Sequence, residues 1–330
     1  MDRALRDAIL LLIRQARRIL LIAHVAPDGD CIGSLLALGQ ALRALGKQAV
    51  LACPDPVPQP YHFLPGQEAI TRDPVGEFQL LISLDSSDIS RLGDIYRPAA
   101  FASVPLINID HHTTNVHFGT VNWVDSDAAS TAEMVYELIG ELGVPLNPNM
   151  ALCLLTGLVS DTRGFRTPTT TIRTMTIATR LMEAGASLTL ITEQVLNRRP
   201  LAVIRLWGEA LSTLQWRGRV IWAEITQAMR QRAGVQDNDA AGGLASFLAS
   251  AHEADVAVVF SEKPDNKVEV GFRSVPGVDV SAIAFQLGGG GHPQASGCTL
   301  NGTLEAARQR VLAALDAALA RQRGERVSGP

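Results

Sequence analysis

Three short apolar runs in the first third of the chain end in the same kinds of side chain. RILLIA (Arg18 to Ala23) leads into His24, Asp28 and Asp30, FQLLISL leads into Asp85, and VPLINI leads into Asp110, His111 and His112. Short continuous apolar runs suit strands buried on both faces, as in parallel sheets. IGSLLALGQALRALG (Ile32 to Gly46) follows the first loop, and its apolar residues recur at helical three- and four-residue spacing. Strands alternating with helices predict a doubly wound parallel sheet, which binds ligands beyond the carboxyl ends of its strands. The three polar strand ends therefore meet on one side of one sheet.

Further elements follow the same grammar. QAVLACP (Gln48 to Pro54) reads as a strand and the proline-rich PDPVPQPYHFLPG as a loop. STAEMVYELIGELG opens with a capping pattern, Ser130 or Thr131 at the cap with Glu133 close behind, and closes at Gly143. The apolar helix within Asn147 to Phe165 presents Asp161 and Thr162 at its end, and another helix is capped from among Thr169 to Thr171. Leu188 to Pro200 reads as a connector, giving a first domain at 1–187, a linker at 188–202 and a second domain at 203–325. The second domain has β-branched runs at Arg219 to Thr226, Ala254 to Lys263 and Lys267 to Val275, the last two joined by a PDN turn. Short helices at Gly242 to Ala251 and Val280 to Leu287, a closing helix at Thr303 to Arg321 and a frayed end complete a smaller mixed α/β domain.

With 330 residues the chain can bury two cores, and its net charge of −4 argues against a long DNA or RNA track as partner. Cys31, Cys53, Cys153 and Cys298 are scattered without a CxxC pair, as expected of reduced, buried thiols. The apolar run AILLLI is only six residues long and is closed by Arg14, Arg17 and Arg18, a pattern of an amphipathic helix rather than a signal or membrane span. The expected location is cytoplasmic, with no membrane partner.

Asp28, Asp30, Asp85 and Asp161 in one pocket would repel one another and force protonation unless cations neutralise them. Two divalent ions do so, with His24 and His111 as neutral ligands. Mixed His and carboxylate ligation suits Mn²⁺ or a related first-row ion better than structural zinc. A metal pair clamps the attacking and leaving oxygens of a phosphoryl displacement, so no covalent intermediate is needed. Neither GxSxG nor a P-loop lysine motif points to another chemistry.

Taken singly these signals are weak: a DxD is usually a solvated turn, and a run of glycines more often a linker than a phosphate cradle. Their order and spacing are specific, and they resemble the DHH phosphoesterase family. Within it they are similar to the NrnA-like branch of oligoribonucleases and phosphatases of 3′-phosphoadenosine 5′-phosphate (pAp). The HxxxDxD loop is His24, Asp28 and Asp30; SLDSSD carries Asp85; the DHH triplet is Asp110, His111 and His112; LVSDTRGF carries Asp161. GFRS (Gly271 to Ser274) and GGGGH (Gly288 to His292) resemble the companion DHHA1 domain.

The resemblance implies that His24 and Asp28 bind one metal, Asp30, His111 and Asp161 the other, and Asp85 both. It implies that His112 faces the scissile phosphate and that Asp110 orients a histidine. Arg273, Ser274 and His292 would hold the substrate, with the amides of Gly288, Gly289, Gly290 and Gly291 approaching its phosphate. The active site is then expected in a cleft between the domains, with short oligoribonucleotides or pAp as substrate. Cys31 stands where alanine is expected and ASG where a double alanine is commoner, which bears on substrate preference. The alternatives are a cyclic dinucleotide or pApA phosphodiesterase, a pyrophosphatase, or a non-catalytic nucleotide sensor; a homodimer is a family-based expectation. Asn115, His117 and Asp125 read as packing or capping residues, and Arg163 and Arg166 as a solvated loop or a phosphate contact.

Overall fold

A computed structural model describes residues 2–235 and 243–327, with side chains in the last helix described through Leu319. The chain divides into two units, Met1–Arg198 and Arg199–Pro330. In the first, six strands form an all-parallel sheet: β1 (Arg18–Ile22), β2 (Gln48–Ala52), β3 (Ile70–Thr71), β4 (Leu80–Leu84), β5 (Leu106–Asp110) and β6 (Val121–Val124). Their order is β3-β2-β1-β4-β5-β6. The order reverses between β1 and β4, and the crevice above that reversal is where open α/β sheets bind ligands. β3 and β6 have no strong apolar run, and pairing along the sheet edges creates them.

Alternate residues of the inner strands enter two cores. Ile19 and Leu21 of β1 face the larger one, with Leu80, Ile82 and Leu84 of β4, while Leu20, Ile22 and Leu81 face the smaller. The large core is roofed by α1 (Arg3–Gln15), α2 (Gly29–Ala44), α4 (Thr131–Glu141), α5 (Pro148–Asp161) and α6 (Ile172–Glu183). A 3₁₀ segment (Ile89–Ile95) and the four-residue α3 (Pro98–Phe101) cover the small one through Leu92, Ile95 and Phe101. The AILLLI run lies in α1 and buries Ile9, Leu10 and Ile13. Leu188 to Pro200, expected as a connector, is helical at α7 (Leu188–Ile191) and in a π-helical stretch at Thr192–Asn197, and Ile191 is buried in the large core.

The second unit carries a mixed sheet of order β11-β12-β10-β9-β8-β7: β7 (Gln215–Arg217), β8 (Val220–Ile225), β9 (Val256–Lys263), β10 (Lys267–Ser274), β11 (Gly290–His292) and β12 (Ala295–Asn301). Only β8 and β9 pair in parallel. The turn between β9 and β10 has Asp265 and Asn266 at φ of 60° and 54°, the left-handed pair that a tight hairpin needs. Val256, Val258 and Phe260 of β9 pack with α11 (Ser281–Gln286) and α12 (Leu304–Val327), while Ala257 and Val259 pack on the other face with α8 (Leu201–Leu211), α9 (Gln227–Ala233) and α10 (Leu244–Leu248).

The last three residues of GGGGH form β11, which pairs with β12 along the sheet edge. Two expectations differ from the structure. The helix expected from Gly242 is described only as Leu244–Leu248, and Gly242 itself lies outside the described residues. The closing helix runs on to Val327, through sequence expected to fray; arginine, glutamine and alanine are all good helix formers. No described helix is long and apolar enough to cross a membrane.

Candidate functional site

The acids and histidines proposed for the metals lie at or within two residues of a strand or helix end in the first unit. His24 stands two residues beyond β1, Asp85 just beyond β4, Asp110 at the end of β5 with His111 and His112 after it. Asp28 is the N-cap of α2, its Oδ1 accepting the N–H of Asp30 (3.0 Å) and Cys31 (3.1 Å), which fixes the loop that carries His24. Asp161 is the last residue of α5.

The distances bring these side chains into one cluster around Asp85, which is 1% exposed. Its Oδ2 lies 3.5 Å from His24 Nε2, and its Oδ1 lies 3.5 Å from His111 Nε2 and 3.7 Å from His112 Nδ1. His24 Nε2 is also 4.0 Å from Asp28 Oδ1, while His111 Nε2 is 3.1 Å from Asp161 Oδ2 and 3.9 Å from Asp30 Oδ2. Asp85 thus stands between two groups, His24 with Asp28 and His111 with Asp30 and Asp161. Its backbone adopts φ of 61°, a left-handed conformation unusual outside glycine and found at functional turns.

Second contacts hold the cluster in place. Asp30 is fully buried and accepts the N–H groups of Thr131 (2.6 Å) and Ala132 (2.8 Å), the exposed dipole end of α4. Ser130 serves as the cap of that helix, which leaves the Thr131 hydroxyl to donate to Asp85 Oδ1 (2.9 Å). α5 passes so close that a Cβ at Gly157 would lie 2.7 Å from Asp30 Oδ1 and 2.6 Å from the Ala132 side chain. His112 Nδ1 donates to Asp110 Oδ1 (2.7 Å), and Asn115 Nδ2 donates to Asp110 Oδ2 (2.6 Å) and to Ser86 O (3.1 Å). Asn115 therefore braces the Asp110–His112 pair rather than merely capping a turn. At His24, Nδ1 lies 2.7 Å from Val25 O and 2.9 Å from Arg91 Nη2. Only donation from Nδ1 to Val25 leaves Nε2 bare for ligation.

The electrostatics describe a pocket with too much negative charge. Burial alone would lower His111, but the Asp161, Asp85 and Asp30 carboxylates lift it to about 11, and His24 and His112 are raised against burial by their own carboxylates. Desolvation and the charges of Asp85 and Asp161 push Asp28 up to about 6 and Asp30 well above its ordinary value. Burial would also raise Asp85, yet His24, His111 and His112 hold it below the usual carboxylate range. The pocket stabilises protons wherever it can hold them, and divalent cations would do the same work.

One atom tests the fit directly. His111 Nε2 is buried and makes no hydrogen bond, although carboxylate oxygens of Asp161, Asp85 and Asp30 lie 3.1–3.9 Å away. A buried polar atom without a partner is costly, and a cation among those atoms would satisfy it. Among the described residues three groups could hold a metal ion: His24 with Asp28 and Cys31, Asp85 with His111 and His112, and Asp30 with His111 and Asp161.

In the second unit, Val268, Val270 and Phe272 of β10 turn into the core, and Glu269, Gly271 and Arg273 line the opposite face. There a cavity of about 530 Å³ is bounded also by Ser261, Gly288, Gly289 and Thr299. Arg273 is anchored by Nε to Ser246 Oγ (3.1 Å) and by Nη1 to Phe272 O (2.8 Å). The Ser274 hydroxyl donates to Val278 O (2.6 Å) and holds the following turn. A Cβ at Gly289 would come within 2.1 Å of Gly297 O, whereas one at Gly290 would meet nothing. Gly289 thus answers to hairpin packing, while the strand at Gly290 and His292 is exposed.

Sequence patterns could not reveal Thr131, Arg91, Ser246 or the cavity residues Ser261 and Thr299, because each acts through a contact with a distant segment. The Ser130–Thr131 ambiguity was the one available hint, since two adjacent hydroxyls cannot both cap one helix. Arg163 and Phe165 flank Gly164 beside Asp161 with φ of 50° and 64°, a left-handed turn pinned by Thr162 Oγ1 accepting Phe165 N (2.9 Å).

Comparison with known proteins agrees with this architecture. The model of the DHH family, N-terminal domain, matches residues 18–158, and that of the DHHA1 domain matches residues 226–321. The fold superposes on an exopolyphosphatase-related protein from Bacteroides fragilis with a TM-score of 0.90 at 24% identity, over 98% of each chain. It also superposes on RecJ from Thermus thermophilus in complex with Mn²⁺, with a TM-score of 0.59 at 18% identity over 97% of this chain and 55% of that one. In sequence the chain is 39% identical to the bifunctional oligoribonuclease and PAP phosphatase NrnA of Thermus thermophilus, over 92% of this chain and 90% of that one. Likeness of that extent, with both domain models matched in order, makes the chain a member of the DHH/DHHA1 phosphoesterase family, in its NrnA-like group.

Proposed function

We propose that this chain is a two-metal phosphoesterase that hydrolyses short oligoribonucleotides to mononucleotides and pAp to AMP and phosphate. The observation that carries the reading is the buried His111 Nε2, which makes no hydrogen bond of its own among three carboxylates, in a pocket where Asp28 and Asp30 are pushed towards their protonated forms. His24 and Asp28 would hold one divalent ion and Asp30, His111 and Asp161 the other, with Asp85 shared between them; the donor set favours Mn²⁺. When bound, the ions supply positive charge against the phosphoryl oxygens and acidify water at the site.

The chain's own groups do the rest. Asp110 accepts from His112 Nδ1 and so orients the ring, which places Nε2 as the nitrogen that meets the substrate. The carboxylates of Asp110 and Asp85 raise the proton affinity of His112 and favour its charged form, which would stabilise the phosphoryl oxygens or protonate the leaving oxygen at Nε2. Arg273, the amide of Gly290 and His292 bind the nucleotide, and Ser274 holds the turn behind Arg273. The acidic net charge of −4 suits a short substrate, since a long track would call for a basic stripe.

The test is a substrate panel on chelator-stripped protein, with and without Mn²⁺, products resolved by chromatography. Mn²⁺-dependent release of mononucleotides from di- to pentaribonucleotides and of phosphate from pAp is expected. Activity confined to pyrophosphate or to cyclic dinucleotides would overturn the substrate assignment.

A further inference from the structure

We propose that Cys31 is a further protein ligand in the His24–Asp28 half of the metal centre, beside the shared Asp85, making that half the softer of the two. The inference rests on the metal-centre reading above and adds a residue to it. A ring nitrogen of His24, a carboxylate oxygen of Asp28 and the Cys31 sulfur all lie within 4.8 Å of one another, close enough for one ion to draw them together. His24 is 2% exposed and Cys31 fully buried.

The placement follows from the start of α2. Asp28 caps the helix by accepting the Cys31 N–H, and the Cys31 sulfur turns back over the same cap, 3.7 Å from Asp28 O. A thiol at this position is held against the loop that carries the first two ligands. A residue without a donor atom there, such as alanine, would leave that half with only His24, Asp28 and the shared Asp85.

The consequence is an asymmetry between the halves. The group formed by Asp30, His111 and Asp161 offers oxygen and nitrogen only, whereas the group formed by His24, Asp28 and Cys31 also offers sulfur. Sulfur favours thiophilic ions such as Co²⁺, Zn²⁺ and Cd²⁺ over Mn²⁺. As the sulfur–cation bond forms, the thiol proton leaves to the buffer and no electron is transferred. Cys53 lies beside the same loop, its sulfur 3.6 Å from His24 O, but it belongs to none of the three groups and serves as an internal control.

The experiment is a Co²⁺ titration of the chelator-stripped full chain, followed by absorption. Visible ligand-field bands report Co²⁺ entering a protein site, and an intense near-ultraviolet band reports sulfur-to-cobalt charge transfer. The expected result is both kinds of band in the natural protein, loss of the near-ultraviolet band alone in Cys31→Ala and Cys31→Ser, and its retention in Cys53→Ser. Cd²⁺ affinity should fall by roughly tenfold or more in Cys31→Ala, against a smaller change for Mn²⁺. Visible bands without charge transfer in the natural protein, or charge transfer that survives Cys31→Ala, would overturn the proposal and leave the metal centre standing. Absence of any visible band would overturn the metal centre itself.

Discussion

Asp30 and Asp85 are almost wholly enclosed, and backbone amides or a threonine hydroxyl fix their oxygens. In the second unit, Arg273 lines an open cavity and Gly290 lies on an exposed edge strand, where shape rather than enclosure sets the surroundings. The first pocket concentrates charge in a place where every ligand is held by an element end. The second offers a guanidinium in a cavity and an exposed strand edge. Enclosure makes interactions with charge strong and unforgiving, while an open cavity tolerates adjustment. Chemistry is therefore expected to depend on the first pocket, and binding on the second.

The sharpest way to break that division is Asp85→Asn. Removing the charge that stands between the two groups of candidate ligands should lower kcat on the order of 10³-fold or more. Nucleotide binding, followed by calorimetry, should change far less, and comparable losses in both would erase the contrast. Arg273→Ala should act in reverse, raising KM by roughly 10-fold to 100-fold through loss of a charge-assisted contact, with the metal content of the protein unchanged. A third test separates binding from architecture within the second unit. Gly289→Ala forces a Cβ against Gly297 O and should destabilise the protein by about 1–3 kcal/mol in denaturant unfolding. Gly290→Ala, in open space, should cost less stability and act through KM.

The smallest effect is expected in the pH dependence of the metal-stripped protein. His111 is raised to about 11 from 6.5 and Asp28 to about 6 from 3.8. Each contributes stability that is fully present below its unfolded value and lost as pH rises through its folded value. The melting temperature of the stripped protein should thus decline from about pH 4 upward, only slightly at the Asp28 step because that side chain is half open to solvent. Asp85, held low, acts in the opposite sense and only below 3.8. Loading with Mn²⁺ should flatten the decline, because cations take the place of the protons. An equal slope with and without metal would show that the first pocket is not the seat of the charge imbalance.

Much of this centre could be read before any coordinates. RILLI, LLISL and LINID are strands because they are mostly apolar, and each ends at or within two residues of a proposed site residue. Such patterns are local, and so is the capping logic that ended α5 at Asp161 and seated Asp28 at the start of α2. Residue identity likewise determined the excess of carboxylate and the histidines available to share cations with it. Tertiary structure decided what holds those groups. Asp30 meets Thr131 across 101 residues of sequence, Asp85 meets the Thr131 hydroxyl across 46, and Arg91 reaches His24 across 67. It also made Gly290 to His292 an edge strand, set His111 Nε2 among three carboxylates, and set the Cys31 sulfur beside His24 and Asp28. A periodic pattern records which face of an element is buried, but it carries no record of which distant group lies across the gap. That depends on how closely helices pack, as at Gly157 against Asp30, and only the folded chain sets that distance.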